Sequence, residues 1–359
     1  MIGTRAPRPE PLNYITPTQL GQGEKCLWQL GYSRDPKVSS LSRPSPVSAL
    51  GDVVHEVTQR LGDPAGFDSV WEEAVSNAAT RLAETWAPAQ PPSPETWPGW
   101  SLKKVRMRKT WERASGVSQP PRFQVSSKRP AQLVSAAPPL PWRERWLQHP
   151  QRPLAGKPDL VEHRTDGIWV IDLKTGLNQA ESTPEQRQQL LFYCALVEAE
   201  IDELPSHAAI ETTQGTRFPF AVDHREVQEV CERALAVLKE VNDVGDQGLN
   251  AAVANPSAEA CGWCSFRPAC APFFEAYDET WPIAHALLFE VVSVDTSAHG
   301  HSVEAVVRLP MWRKGETVHV VGFPFDEPPQ TGQLWGSVNF AGLASSAIAN
   351  WNTTIFKWR

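Results

Sequence analysis

Apolar positions along most of the chain fall into two alternating periods. Between residues 48 and 61, Leu50, Val53, Val54, Val57 and Leu61 recur every third or fourth position, which predicts an amphipathic helix. Residues 71–86 and 227–241 read the same way. A further helix is expected over residues 184–199, because Thr183-Pro184-Glu185-Gln186 resembles a capping box with proline in the first turn. Thr16 and Pro17 supply another helix start, carrying the chain towards Cys26 and Trp28, although Gly21 and Gly23 weaken that helix. Strands are predicted at residues 154–163, 168–174 and 208–211. Helices and strands interleave, so the fold class is α/β.

Prolines break this pattern. Residues 36–46 form a Ser/Pro-rich loop, residues 88–100 are too proline-dense for regular structure, and residues 138–141 interrupt the chain again. From residue 285 onwards the texture changes. Alternation in 303–307 and 317–321, punctuated by Gly322 and Gly332, predicts short antiparallel strands. A C-terminal β-rich domain over residues 285–359 is therefore expected, and a small barrel of the oligonucleotide-binding (OB) kind is one architecture open to it.

Composition narrows the class. A chain of 359 residues, 41% hydrophobic and 21% charged, holds one large domain with an appendage or two domains. It has no apolar run of about 18 residues, so no membrane span is expected. The proline-rich N-terminus lacks the apolar core of a secretory signal, so a cytoplasmic location is expected. The net charge is −7, but residues 101–153 carry twelve Lys or Arg against only Glu112 and Glu144. Residues 176–255 are the reverse, rich in acids. The basic stretch reads either as a local nucleic-acid track, with Trp111 and Phe123 available to stack on bases, or as a solvated basic loop. Six cysteines in so long a chain are no disulfide scaffold, and in a reducing compartment their clustering points first to metal.

The richest segment is Gly156-Lys-Pro-Asp159, a turn-like Arg164 to Gly167, and Ile168-Trp-Val-Ile-Asp172-Leu-Lys174. It reads as a β-hairpin. With the turn centred between Thr165 and Asp166, Val161 faces Val170 and Asp159 faces Asp172. Asp159, Asp172 and Lys174 then share one face, and Leu160, Trp169, Ile171 and Leu173 the other. Opposed carboxylates repel unless a cation lies between them. Oxygen ligands suit Mg²⁺ or Mn²⁺, which lowers the pKa of a bound water, and Lys174 would orient that water or offset charge on phosphorus. That outlines a phosphodiester hydrolysis site, and the competing reading is a solvent-facing acidic hairpin. Gln189 and Tyr193 lie four apart on the helix that follows. His55 lies on the polar side of its helix. A lone histidine is usually structural, but beside two carboxylates it would be a third metal ligand.

Gly51-x-x-x-His55, Gly156-x-x-Asp159, Asp172-x-Lys174-Thr-Gly and Gln189-x-x-x-Tyr193, in this order, resemble the RecB-like branch of the PD-(D/E)XK nuclease superfamily, over about residues 15 to 272. The resemblance implies a restriction-endonuclease-like core, a mixed central sheet flanked by helices. It implies that His55, Asp159 and Asp172 bind the catalytic metal, that Lys174 serves the chemistry, and that Gln189 and Tyr193 help place DNA. One subgroup, which includes nuclease subunits of AddAB-type complexes and CRISPR adaptation nucleases, also carries one cysteine before the histidine motif and three near the end of the domain. Here these are Cys26, Cys261, Cys264 and Cys270, and the resemblance implies that they hold a [4Fe–4S] cluster. Thiolates suit iron–sulfur clusters or Zn²⁺, so zinc is the rival reading. A clasp reaching back to Cys26 would close a loop of about two hundred residues. Cys194 and Cys231 are expected to be packing residues.

The expected organisation is thus a nuclease domain over residues 1–280, with a proline-rich, basic insertion at 88–141, followed by the β-rich domain. The expected activity is Mg²⁺- or Mn²⁺-dependent cleavage of DNA, with single-stranded DNA or DNA ends favoured, in repair or defence. The alternative is a catalytically silent iron–sulfur module that binds DNA or assembles a complex. No Walker-type phosphate loop is present, so a helicase would be a partner rather than part of the chain.

Overall fold

The computed structural model describes residues 6–86, 91–116, 139–174, 181–212, 216–244, 248–283, 285–297, 300–323, 329–340, 342, 346–349 and 353–358. Two helices open the chain, α1 (Pro17–Lys25) and α2 (Leu27–Arg34), broken at the extended residue Cys26. The Thr16 side chain accepts from the Gln19 N–H, and the Gln19 side chain caps in return. Three helices follow, α3 (Pro46–Gln59), α4 (Gly66–Trp86) and α5 (Trp100–Gly116). Then come β1 (Trp142–Arg143), β2 (Leu147–Gln148), β3 (Ala155–Gly156), β4 (Leu160–Arg164) and β5 (Gly167–Lys174). Helix α6 (Pro184–Ile201) crosses to β6 (His207–Thr212), and β7 (Arg217–Ala221) leads into α7 (His224–Asn242).

These strands form a five-stranded sheet in the order β1-β4-β5-β6-β7, in which only β5 and β6 run parallel. The hairpin register is the one the sequence predicts, with Val161 opposite Val170 and Leu160 opposite Ile171. One face, carrying Val161, Val170 and Ile210, packs on α1, α2, α6 and α7 as the main core. On the other face Leu160, Trp169, Ile171 and Ala209 form a small apolar cluster, with Leu173 packed against it. The mixed sheet and its helices agree with a restriction-endonuclease-like core.

Three expectations are corrected. The predicted strand over 154–163 is split, because Pro158 has no N–H for a ladder; β3 pairs with β2, and β4 starts anew at Leu160. The proline-dense stretch holds a short 3₁₀ turn (Pro94–Thr96), and the basic stretch then begins as helix α5. Trp111 on α5 is 7% exposed, packed beside Phe67 in a separate helical core that α3, α4 and α5 share, so it does not present a ring for base stacking. Phe123, and the basic residues Arg122, Lys128 and Arg129, lie outside the described residues.

Two short helices, α8 (Ala258–Gly262) and α9 (Ala271–Ala276), carry the chain to a second sheet. Its strands are β8 (Ala286–Ser297), β9 (Gly300–Leu309), β10 (Thr317–Phe323), β11 (Leu334–Val338), β12 (Ser346–Ile348) and β13 (Thr354–Lys357). The order is β12-β10-β9-β8-β11-β13, antiparallel except for β10 with β12. Val291, Val303, Ala305, Val318 and Val320 make its own core. Phe273, Phe274 and Tyr277 pack with Leu288 and Leu309, joining this sheet to α9. None of the described helices is long and apolar enough to cross a membrane.

Candidate active site and cysteine centre

The hairpin and α3 bring the predicted acidic residues together. Asp172 sits in β5 with 2% exposure, and the Lys174 ammonium lies 2.7 Å from its Oδ2. That oxygen accepts no well-aligned hydrogen bond, so a buried carboxylate keeps coordinating capacity. Asp159 lies just before β4, and its Oδ2 accepts the Leu173 N–H at 2.6 Å. Lys174 donates to Gln189 Oε1 at 3.3 Å, and Gln189 donates to the Tyr193 hydroxyl at 3.2 Å, so the chain of polar contacts passes from β5 to α6. Helix α6 comes this close because residue 156 is glycine. A Cβ there would stand 2.9 Å from Tyr193 Cε1 and 3.2 Å from Leu196 Cδ1.

A residue that sequence reasoning missed completes the cluster. Glu144 follows β1 in a left-handed conformation (φ 47°), and its N–H donates to the Asp159 carbonyl at 3.0 Å. Its carboxylate lies 3.5 Å from His55 Nδ1 and forms an ion pair with Lys157. His55, Glu144 and Asp159 each offer a ligand atom within 4.8 Å of the others. One imidazole and two carboxylates make a nitrogen–oxygen donor set that fits a divalent cation. Asp172 lies close enough to raise the pKa of both His55 and Asp159. In the sequence Glu144 stood only as one of two acids in a basic stretch. Its single usable signal was its place after the apolar Trp142, twelve residues ahead of Gly156.

The electrostatics are those of a site awaiting positive charge. Burial and the neighbouring Asp172 carboxylate push Asp159 up to about 6. Glu144 is held at about 2 by its bond to His55 and by Lys157. His55 is raised in turn, chiefly by Glu144 against the cost of burial. Burial raises the Tyr193 hydroxyl, which stays neutral. Beside the site a cleft of about 310 Å³ runs between α3, α5 and the sheet, lined by His55, Arg113, Arg143 and Leu173 among others.

The second centre is built from cysteines. Cys26, Cys261, Cys264 and Cys270 line one cavity. Cys26 stands at the break between α1 and α2, Cys261 in α8, and Cys270 caps α9. The two ends of the domain are also tied by hydrogen bonds: Trp28 Nε1 donates to the Asn250 carbonyl (2.9 Å), and the Tyr32 hydroxyl to the Ala269 carbonyl (3.0 Å). The Asn255 N–H points at Cys26 Sγ, 3.4 Å away. Burial pushes the Cys264 thiol up to about 12 and raises Cys270 and Cys261, so without metal these thiols are protonated. Four thiols around one cavity, buried or half-buried, suit a soft metal centre that displaces their protons. Cys194 and Cys231 are fully buried in the main core, on α6 and α7, and serve packing.

The fold is α/β, and the acidic cluster offers a donor set that fits a divalent cation. A family model of the PD-(D/E)XK nuclease superfamily matches residues 14–271. The chain belongs to that superfamily, whose nucleases use divalent metals. The matched span takes in both centres and stops short of the C-terminal sheet. A search of curated proteins finds no match.

Proposed function

We propose that this chain is a Mg²⁺- or Mn²⁺-dependent deoxyribonuclease of the RecB-like branch, acting on single-stranded DNA or DNA ends, in the cytoplasm. The observation that carries the reading is the meeting of His55, Glu144 and Asp159 beside the buried Asp172–Lys174 pair. A bound divalent ion supplies Lewis-acid polarisation of the phosphate and a more acidic water. The chain's own residues do the rest. His55, Glu144, Asp159 and Asp172 would hold the ion. Lys174, 2.7 Å from Asp172 Oδ2, would offset charge growing on the phosphoryl oxygens. Gln189 fixes the Lys174 ammonium, and Tyr193, neutral at all working pH values, fixes Gln189.

The cleft beside His55 is proposed to take the DNA strand. Its two exposed arginines, Arg113 and Arg143, have no ion-pair partner among the described residues and are free to meet phosphates. The C-terminal sheet is proposed as a separate domain and a second strand-binding surface. A three-strand meander, a fourth strand beside the first and a fifth parallel to the third support an open barrel of the OB kind.

The four cysteines are proposed to hold a [4Fe–4S] cluster. All four cysteines line one cavity, which supports a single shared centre.

The test is cleavage of end-labelled single-stranded and duplex DNA by anoxically purified protein with Mg²⁺ or Mn²⁺, beside Asp172→Ala. Cutting that needs metal and is lost in the variant is the expected result. Intact DNA on every substrate, with the cysteine centre loaded, would move the reading to a silent module or to an enzyme that needs a helicase or other processing partner.

A further inference from the structure

Arg267 lies between Cys264 and Cys270 in sequence and lines the same cavity as the four cysteines. It is 8% exposed. Its Nε donates to the Cys264 carbonyl at 2.9 Å, and a terminal nitrogen reaches Asn339 Oδ1 at 3.4 Å. No carboxylate pairs with it among the described residues. A guanidinium stays charged in a protein, and a charge taken out of water without a counter-ion costs several kcal/mol. The ionisable groups that face it are Cys264, Cys261 and Tyr277.

The unpaired charge is resolved if the centre is anionic. Four thiolates around one divalent ion, or around an iron–sulfur core, leave net negative charge. We infer that Arg267 is the built-in counter-charge of the four-cysteine centre and, through the Cys264 carbonyl and Asn339, ties that centre to the C-terminal sheet. The inference rests on the reading that these cysteines hold metal. Arg267 is a positioning and charge-balancing residue, not a ligand.

The fixed geometry around it supports the tie. Asn339, which accepts from Arg267, has a left-handed backbone (φ 64°) at the end of β11. Next to Arg267, the Pro268 carbonyl accepts from Trp358 Nε1 at 2.9 Å. A Cβ on Gly336 would stand 2.0 Å from that same carbonyl oxygen, so β11 lies directly on the cysteine loop. The sheet therefore closes one wall of the centre.

The experiment uses the full chain, purified without oxygen, as wild type, Arg267→Gln, Arg267→Lys and Asn339→Ala. Iron, zinc and sulfide content is measured first, then the rate of metal loss to a chelator and, where iron is present, the midpoint potential. The wild type is expected to carry metal. Arg267→Gln should lose it about 10- to 100-fold faster, as removal of an outer-sphere partner does. The iron form should also show a lower potential, because an added electron meets less positive charge. Arg267→Lys should recover most of both, and Asn339→Ala should fall between. Equal metal retention in Arg267→Gln, or equal loss in the Gln and Lys variants, would overturn the counter-charge. A wild type with no metal and no sulfide would overturn the reading beneath it, and the inference with it.

Discussion

At the scale of single residues, the site divides into what the sequence makes legible and what only folding assembles. Asp159, Asp172 and Lys174 were legible because a tight turn and a period of two fix their register. Glu144 was not, because its position depends on β1 pairing with β4 and on one left-handed residue. Asp172→Asn or Lys174→Ala is expected to lower cleavage at least about a hundredfold, with melting temperature and DNA affinity nearly unchanged. Glu144→Gln should weaken Mn²⁺ binding about 10- to 100-fold in a metal titration, because it removes a ligand and frees His55. The pH dependence follows from Asp159. Its folded pKa, about 6, is raised above its unfolded value, so in the metal-free protein the folded state holds an extra proton between about pH 4 and 6. Metal-free stability from this group is full below about pH 4 and is lost as pH rises through 6. Mn²⁺ affinity should move oppositely, rising by up to about tenfold per pH unit below 6, since that proton must leave. Melting curves and titrations over pH 4.5–7.5 check both slopes.

Among the elements, capped helices were the most legible. Thr183 and Gln186 make the expected reciprocal cap at the start of α6, and Thr16 with Gln19 does so for α1. Helix α5 was hidden because its charged residues mask the apolar positions that face α4. Met107 and Trp111 are buried, while Arg108 covers the Phe67 ring at 4.7 Å and pairs with Asp68. Strand β7 was hidden for a different reason: a proline stands in its middle, tolerable only because β7 is the sheet edge. Trp111→Ala should cost about 3–5 kcal/mol, the price of a large cavity in the helical core. Denaturant unfolding measures the loss. Because Trp111 packs away from the cysteines, metal content at that centre should not change.

For the whole molecule, four cysteines far apart in the sequence meet at one cavity. Their order in the sequence was visible, but their common cavity required Trp28 and Tyr32 to reach residues 250 and 269. The strands of the C-terminal sheet were partly visible. Its order was not, because the pairings of β8 with β11 and of β10 with β12 span long connections. Cys26→Ser or Cys264→Ser is expected to lower the melting temperature of the entire nuclease domain. Stripping metal from the wild type should lower it as well, and a chelator should add little in the variants. A Cys→Ser protein with unchanged melting and full metal content would remove the clasp from the account.

The break at Cys26 also dictates an order of manufacture. Cys270 is 244 residues further along the chain, so at about 5–20 residues per second a ribosome takes some 10–50 s to deliver it. Throughout that interval Cys26 is without at least one of the three cysteines that share its cavity. The acidic hairpin is complete much earlier, by residue 174. If the four cysteines hold metal as proposed, the acidic hairpin is made before that centre can be loaded, so loading would come late in the making of the domain.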